Sequence, residues 1–267
     1  MQTRIHTPSE PVESRAIDFI WHTHAEHQQI NSITLPYLKH EIIFNFGDHF
    51  SVNQHHVKDA VFLSGMGPGP ISTSVSGTYH TLGLMLAPAT FYRRYGIPVA
   101  DISITENLTD VLGKDFAYLC EQIGDEKLPD HKISLAKTYF SPRHFKKEIP
   151  ASILNFIDNA HAEFIQKGSL KAAAKKAGIT AKHFINTFKN IYGCTPHRYL
   201  QLLFFNQSIR ALVHDQDSKA CINGFYDQSH FAKIFRQFSG LTVKEYRMAL
   251  SDNLVVPNFA NTILQRG

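Results

Sequence analysis

Residues 224–235 read GFYDQSHFAKIF, with Asp227, Gln228, Ser229 and His230 grouped ahead of a recurring phenylalanine. Such a polar cluster can serve a catalytic or metal site, or it can form the exposed start of a helix packed on its other side. Spacing separates these readings. Phe231, Ile234, Phe235 and Phe238 fall at i, i+3, i+4 and i+7, the stripe that a helix buries, and Phe225 can pack from the preceding turn. Asp227 then occupies the N-cap position, and Gln228, Ser229, Ala232, Lys233 and Arg236 lie on the opposite, exposed side. That side has the chemistry of a base reader: Gln bonds adenine bidentately, Lys bonds guanine or phosphate, and Ala meets a thymine methyl.

The pattern occurs twice. His183-Phe184, Phe188, Gly193, Thr195 and Tyr199 return as His230-Phe231, Phe235, Gly240, Thr242 and Tyr246, each displaced by 47 residues. In the first copy Phe184, Thr187, Phe188 and Ile191 face inward and Thr180 caps, while Ala181, Lys182, Ile185, Asn186 and Lys189 face out. A glycine turn, at Gly178 or Gly224, joins each such helix to a shorter one before it. Two helices joined in this way form a helix-turn-helix, whose second helix enters the major groove. Between the copies, PHRYLQLLFFNQSIRALVH (196–214) reads as one connecting helix, roughly 27 Å long at 1.5 Å per residue.

Charge supports a polyanion partner for this region. The 267-residue chain carries a net +4, but residues 169–250 carry +8 and the remainder −4. Local excess of Lys and Arg drives binding to phosphate backbones.

The elements before it are of another kind. ITLPYLKHEIIFNFG, HVKDAVFLSG and SVSGTYHTLGLMLAP, from about Ile33 to Leu86, read as short strands of an antiparallel barrel or sandwich. A helical stretch near Ala89–Tyr95 follows, and NLTDVLGKDFAYLCEQIG (107–124) reads as one amphipathic helix. Residues 128–150 hold scattered charge and no sustained period, the pattern of a linker. SILNFIDNAHAEFIQKG (152–168) places Ile153, Phe156, Ile157, Ala160 and Phe164 on one helical face and stops at Gly168. The expected fold class is therefore α+β with two domains: a β-rich barrel or sandwich with flanking helices over 1–127, a linker over 128–150, an all-α double helix-turn-helix over 151–250, and a tail over 251–267.

Sixteen histidines raise a metal-dependent β-barrel enzyme with a helical accessory domain as the alternative. His22, His24, His27, His55 and His56, with a carboxylate such as Glu41, are its candidate ligands. No pair has an assured ligand spacing on an assigned element, so the expectation is no metal, no cofactor and no catalytic residue. GMGPGP (65–70) lacks a phosphate-loop pattern and reads as a turn-rich connection. Cys120, Cys194 and Cys221 lie far apart without a CxxC pair, which argues against disulfides and zinc ribbons. No apolar run approaches a membrane span and the N-terminus has no secretory core, so a cytoplasmic location is expected.

Residues 152–250, and GFYDQSHFAKIFRQFSGLTVKEYR above all, closely resemble the C-terminal domain of the AraC/XylS family of bacterial transcription regulators. LPYLKHEIIFNFGD, FLSGMGPGP and GTYHTLGLMLAPATFYRRYGIP resemble the sensor-like N-terminal domain of one branch of that family. The resemblance implies a seven-helix module that places two recognition helices in successive major-groove segments of double-stranded DNA. By position it implies base-reading roles for Lys182, Asn186, Gln228, Ser229 and Lys233, and backbone-facing or capping roles for Thr180, Lys189, Arg198, Asp227 and Arg236. It also implies a small-molecule effector or partner for the N-terminal domain and permits a homodimer. Two departures stand out. Phe204 occupies a position in the connecting helix where family members carry Arg, and Gln216 and Lys219 replace aliphatic residues before Gly224, an expectation of looser packing in the second unit.

Overall fold

Period-two alternation carries the first part of the chain through β1 (Gln2–His6), β2 (Ile17–Thr34), β3 (Glu41–Asn45), β4 (His49–Val52), β5 (His55–His56), β6 (Val61–Ser64) and β7 (Ile71–Leu86). The computed structural model describes residues 2–8, 10–57, 61–104, 106–159, 169–214, 221–222, 224–256 and 259–265. The chain divides into two units. The first holds the residues up to Asn31 with Lys39–Gly65 and Ser72–Glu148, and the second holds Ser32–Leu38, Met66–Ile71 and everything from Ile149 onward.

In the first unit β7 is the hub. It pairs antiparallel with β3 (Ile42 opposite Leu84) and with β4 (Phe50 opposite Val75), and β2 lies beside it in the sheet. β1 adds to β2 with Arg4 opposite His22, and β6 adds to β3. Even-numbered residues of β3 and β7 face the covering helices α1 (Thr90–Tyr95), α2 (Leu108–Leu112), α3 (Lys114–Asp125) and α4 (Pro129–Tyr139). There Ile42, Phe44, Leu82, Leu84 and Leu86 share a buried core with Phe116, Leu119, Ile123, Ile133 and Ala136. The opposite face buries Trp21, Ile43, Phe50 and Phe62.

Three local expectations change. Strands begin well before Ile33, because β2 is 18 residues long and starts at Ile17; its polar stretch WHTHAEHQQI hides the strand signal. The helix expected over 107–124 is two helices, broken at Gly113, where a φ of 81° leaves the helical region. The expected linker 128–150 contains α4, whose Ile133, Ala136 and, just beyond its end, Phe140 at i, i+3 and i+7 are buried in the first unit's core. Lys132, just before them, and Lys137, between Ala136 and Phe140, obscured that short period.

The second unit is helical: α5 (Ala151–Asp158), α6 (Ser169–Lys176), α7 (Ala181–Tyr192), α8 (Pro196–Val213), α9 (Gln228–Ser239) and α10 (Val243–Ser251). The α+β organisation expected from the sequence is thus the one observed, with one addition. The expected tail after 250 holds two antiparallel strands, β8 (Val255–Val256) and β9 (Phe259–Gln265). They close on the end of β2: the Leu35 amide donates to the Asn261 carbonyl (2.7 Å) and Asn261 Nδ2 donates to the Leu35 carbonyl (3.3 Å). Of the helix expected over 152–168, α5 is described, while Ala160, Phe164 and Gly168 lie outside the described residues, as do Gln216 and Lys219. Among the described residues no helix is long and apolar enough to cross a membrane.

Candidate nucleic-acid interface

The two copies of the repeat fold alike, down to the caps. Thr180 Oγ1 accepts from the His183 amide (3.1 Å) at the start of α7, and Asp227 Oδ1 accepts from the His230 amide (2.7 Å) at the start of α9. Each cap satisfies an amide that the first helical turn leaves without a partner. Both helices end on a left-handed glycine: Gly193 (φ 75°) donates to the Lys189 carbonyl and Gly240 (φ 73°) to the Arg236 carbonyl, each at 2.8 Å. Two residues on, Thr195 and Thr242 cap α8 and α10 in the same way.

The inward stripes pack on α8, the connecting helix. Phe184 and Phe188 are fully buried, and Phe188 meets the Tyr199 ring at 5.4 Å. Phe235 and Phe238 meet Phe205 at 5.5 and 5.1 Å. One helix of about 27 Å therefore supports both units, its Tyr199 end holding the first and its Phe205 segment the second. Phe204, expected to loosen the second unit, does the opposite: it is 2% exposed, and its ring fills the space directly over Gly224 and beside Phe225. The flat aromatic lies on the surface that the glycine turn leaves without a side chain.

With the phenylalanines committed to the core, the other sides of α7 and α9 are exposed. Lys182, Asn186 and Lys189 are exposed on α7, and Gln228, Ser229, Lys233 and Arg236 on α9, with the capping Thr180 and Asp227 also at the surface. Four of these side chains are cationic. Arg198 is placed differently from the other nine. Its guanidinium lies 3.8 Å from the centre of the Phe238 ring and donates to the Pro68 carbonyl, and burial holds its pKa below the usual guanidinium value. It packs the fold in this structure instead of joining the exposed face. Pro68 belongs to the GMGPGP stretch, which thus contributes a packing contact beyond a turn. Sequence reasoning missed Tyr226, which is 87% exposed immediately before the Asp227 cap. Its signal was available: two residues lie between Gly224 and Asp227, against one between Gly178 and Thr180, and Tyr226 is the side chain left outside.

Residues 173–249 match the family model for a helix-turn-helix domain, of the AraC type. The match spans both copies, from within α6 to within α10. The chain is a DNA-binding transcription regulator. Residues 4–106 match a domain family of unknown function (DUF6597). No curated protein matches the chain. Solved structures similar to it include ToxT from Vibrio cholerae O395, 10% identical, with 94% of this chain and 98% of that one covered and a TM-score of 0.46. A second ToxT structure from Vibrio cholerae is 9% identical over 92% of this chain and 97% of that one, with a TM-score of 0.43. The AraC-like transcriptional activator CuxR is 10% identical over 83% and 89%, with a TM-score of 0.21.

The alternative ligands are dispersed. Glu41 does not face the histidines: its Oε1 accepts from Trp21 Nε1 at 2.5 Å on the other side of the sheet. His49 stacks on His56 at 4.6 Å, and His22 and His24 gather around His80. Among the described residues no group of three His, Cys, Asp or Glu side chains is disposed to hold a metal ion. Cys194 is buried, and burial pushes its thiol up to about 12, so it stays protonated and is a poor nucleophile at neutral pH.

Proposed function

We propose that this regulator reads two adjacent major-groove segments with α7 and α9, and that an effector bound in the first unit controls it. The observation that carries the reading is the pair of identically capped helices, each with its phenylalanines packed on one connecting helix and its polar, cationic side exposed. Lys182, Asn186, Gln228, Ser229 and Lys233 have the donors and acceptors for base edges. Lys189 and Arg236 suit phosphates, while Thr180 and Asp227 hold the helix starts that approach the backbone. Tyr226 joins them at the tip of the second unit. We assign the sensing role to residues 1–127 and the reading role to 151–250. We further assign it action in the cytoplasm and as a homodimer, which the resemblance to the AraC/XylS family permits.

Selection of bound fragments from random or genomic DNA tests the reading. The expected result is a motif with two half-sites about 10 base pairs apart, one helical turn. Lys182→Ala and Lys233→Ala should each weaken binding to that motif by about 1–3 kcal/mol, with each loss confined to its own half-site. Equal affinity for cognate and scrambled duplexes in a gel-shift titration, falling only with salt, would reduce the protein to an architectural binder and sink the sequence-reading role.

A further inference from the structure

On the helix-covered face of the first unit, three imidazoles and three longer basic side chains collect at one place. His22 and His24 lie two apart on β2 and so point to one face. Arg4, directly opposite His22 on β1, shares that face. His80 on β7 brings its Nε2 to 3.1 Å from His22 Nε2, and its ring lies 5.0 Å from that of His24. Lys127 comes from the connection into α4, and Pro129 is the first residue of that helix. Together Arg4, His22, His24, His80, Lys127 and Pro129 line a cavity of about 400 Å³. From α4 itself Lys132, 2% exposed, sets its ammonium 4.3 Å over the Phe46 ring and donates to the Ile123 carbonyl.

No Asp or Glu lines this cavity among the described residues, and Lys132 makes no ion pair among them. Glu126 and Asp125 favour the charged form of Lys132, but gathering basic groups around a cavity whose lining holds no carboxylate is unfavourable. The contact between His22 and His80 requires one nitrogen to donate and the other to accept, so the pair cannot be doubly protonated in this geometry. Burial, with His22, Lys132 and His24 nearby, holds the His80 imidazole down at about 4, and burial lowers His22 as well. An occupant with negative charge would relieve this repulsion.

We propose that this cavity binds a small oxyanion carrying two or more negative charges, a phosphorylated metabolite or a di- or tricarboxylate. Arg4 and Lys127 supply charge at its rim, His22, His24 and His80 supply ring donors at its floor, and Lys132 supplies positive potential from behind. A metal cation suits it poorly: the guanidinium and two ammonium groups repel it, and the imidazoles are not disposed as a ligand set. The proposal gives a chemical class to the effector of the regulator reading, and it rests on that reading only for the regulatory consequence.

Calorimetric titration of the full chain at fixed ionic strength, with pyrophosphate, citrate and Zn²⁺ as separate probes, decides it. Saturable binding of pyrophosphate or citrate is expected, and whichever binds names the source of the oxyanion. Loss of one charge-assisted contact should weaken it about ten-fold or more in Arg4→Gln and in Lys127→Gln. Both side chains are exposed, so unfolding of the ligand-free variants should match the parent, and so should their selection of DNA. Binding should be accompanied by proton uptake onto His22 or His80, read as a heat that varies with the buffer's ionisation enthalpy, because the anion stabilises the charged rings. Absence of binding by both anions, or affinity unchanged in the Arg4→Gln/Lys127→Gln double variant, overturns the proposal. So does stoichiometric binding of Zn²⁺ alone that His22→Gln abolishes. An intact DNA motif alongside any of these results leaves the regulator reading standing.

Discussion

Gly224→Ala is expected to destabilise the helical unit by about 3 kcal/mol, the sum of two independent costs. The first is backbone strain: Gly224 has φ +86°, a conformation that costs a side-chain-bearing residue about 1–2 kcal/mol. The second is overlap, because an added Cβ would sit 1.9 Å from Phe204 Cδ1 and 2.1 Å from Cε1, well inside contact distance. Phe204 has little room to withdraw, since it is 2% exposed and packs beside Phe225. Overpacking of this kind typically adds about 1–3 kcal/mol. Gly178→Ala is the control. Its φ of +68° brings the strain, but nothing lies within 4 Å of an added Cβ, so about 1 kcal/mol is expected. Helical circular dichroism during denaturant unfolding reads both. A Gly224→Ala loss no larger than the Gly178→Ala loss would show that the Phe204 ring does not rest on the turn. Because Asp227 and Gln228 follow directly, the same change should weaken the second half-site more than the first.

The second large effect is a dependence on pH centred in the first unit. Glu41 accepts from the indole of Trp21, and desolvation by burial raises its carboxyl to about 7, partly offset by that hydrogen bond. The folded state therefore holds this proton across a pH range in which the unfolded chain, with a value near 4.5, has released it. Stability falls as pH rises through that window, because the native state binds more protons than the unfolded one. The stabilising protonation is fully present below about 4.5 and gone above about 7. Allowing for some solvent contact at Glu41, the swing amounts to about 2–3 kcal/mol. Glu41→Gln should flatten it and raise stability at pH 8, since a neutral amide keeps an acceptor for the indole. Trp21 is the only tryptophan in the chain, so its fluorescence should titrate near pH 7 in the parent and not in Glu41→Gln. A parent emission that is flat between pH 5 and 8 would place the ionisation elsewhere. The indole lies against Gly83, where an added Cβ would come within 2.1 Å of the ring, and that close approach aims its N–H at Glu41.

Much of the helical unit was legible residue by residue. Its phenylalanine stripes, its Thr and Asp caps and its terminal glycines each act within one or two helical turns, so their spacing carries their meaning. The β unit was less legible. β2 escaped notice over its first 16 residues because histidine, glutamine and glutamate populate positions that look solvent-facing in a local window. α4 escaped because its buried positions alternate with charges.

Local sequence was enough to determine that two equivalent helices would form and which side of each would be left exposed, since helix periodicity and capping are satisfied within a few residues. Only the tertiary structure decided that Arg198 would turn inward to Pro68, that Asn261 would meet Leu35, and that His22 would meet His80. Those encounters span 130, 226 and 58 residues. They depend on strand register and packing, where a slip of one residue sends every side chain of a strand to the opposite face.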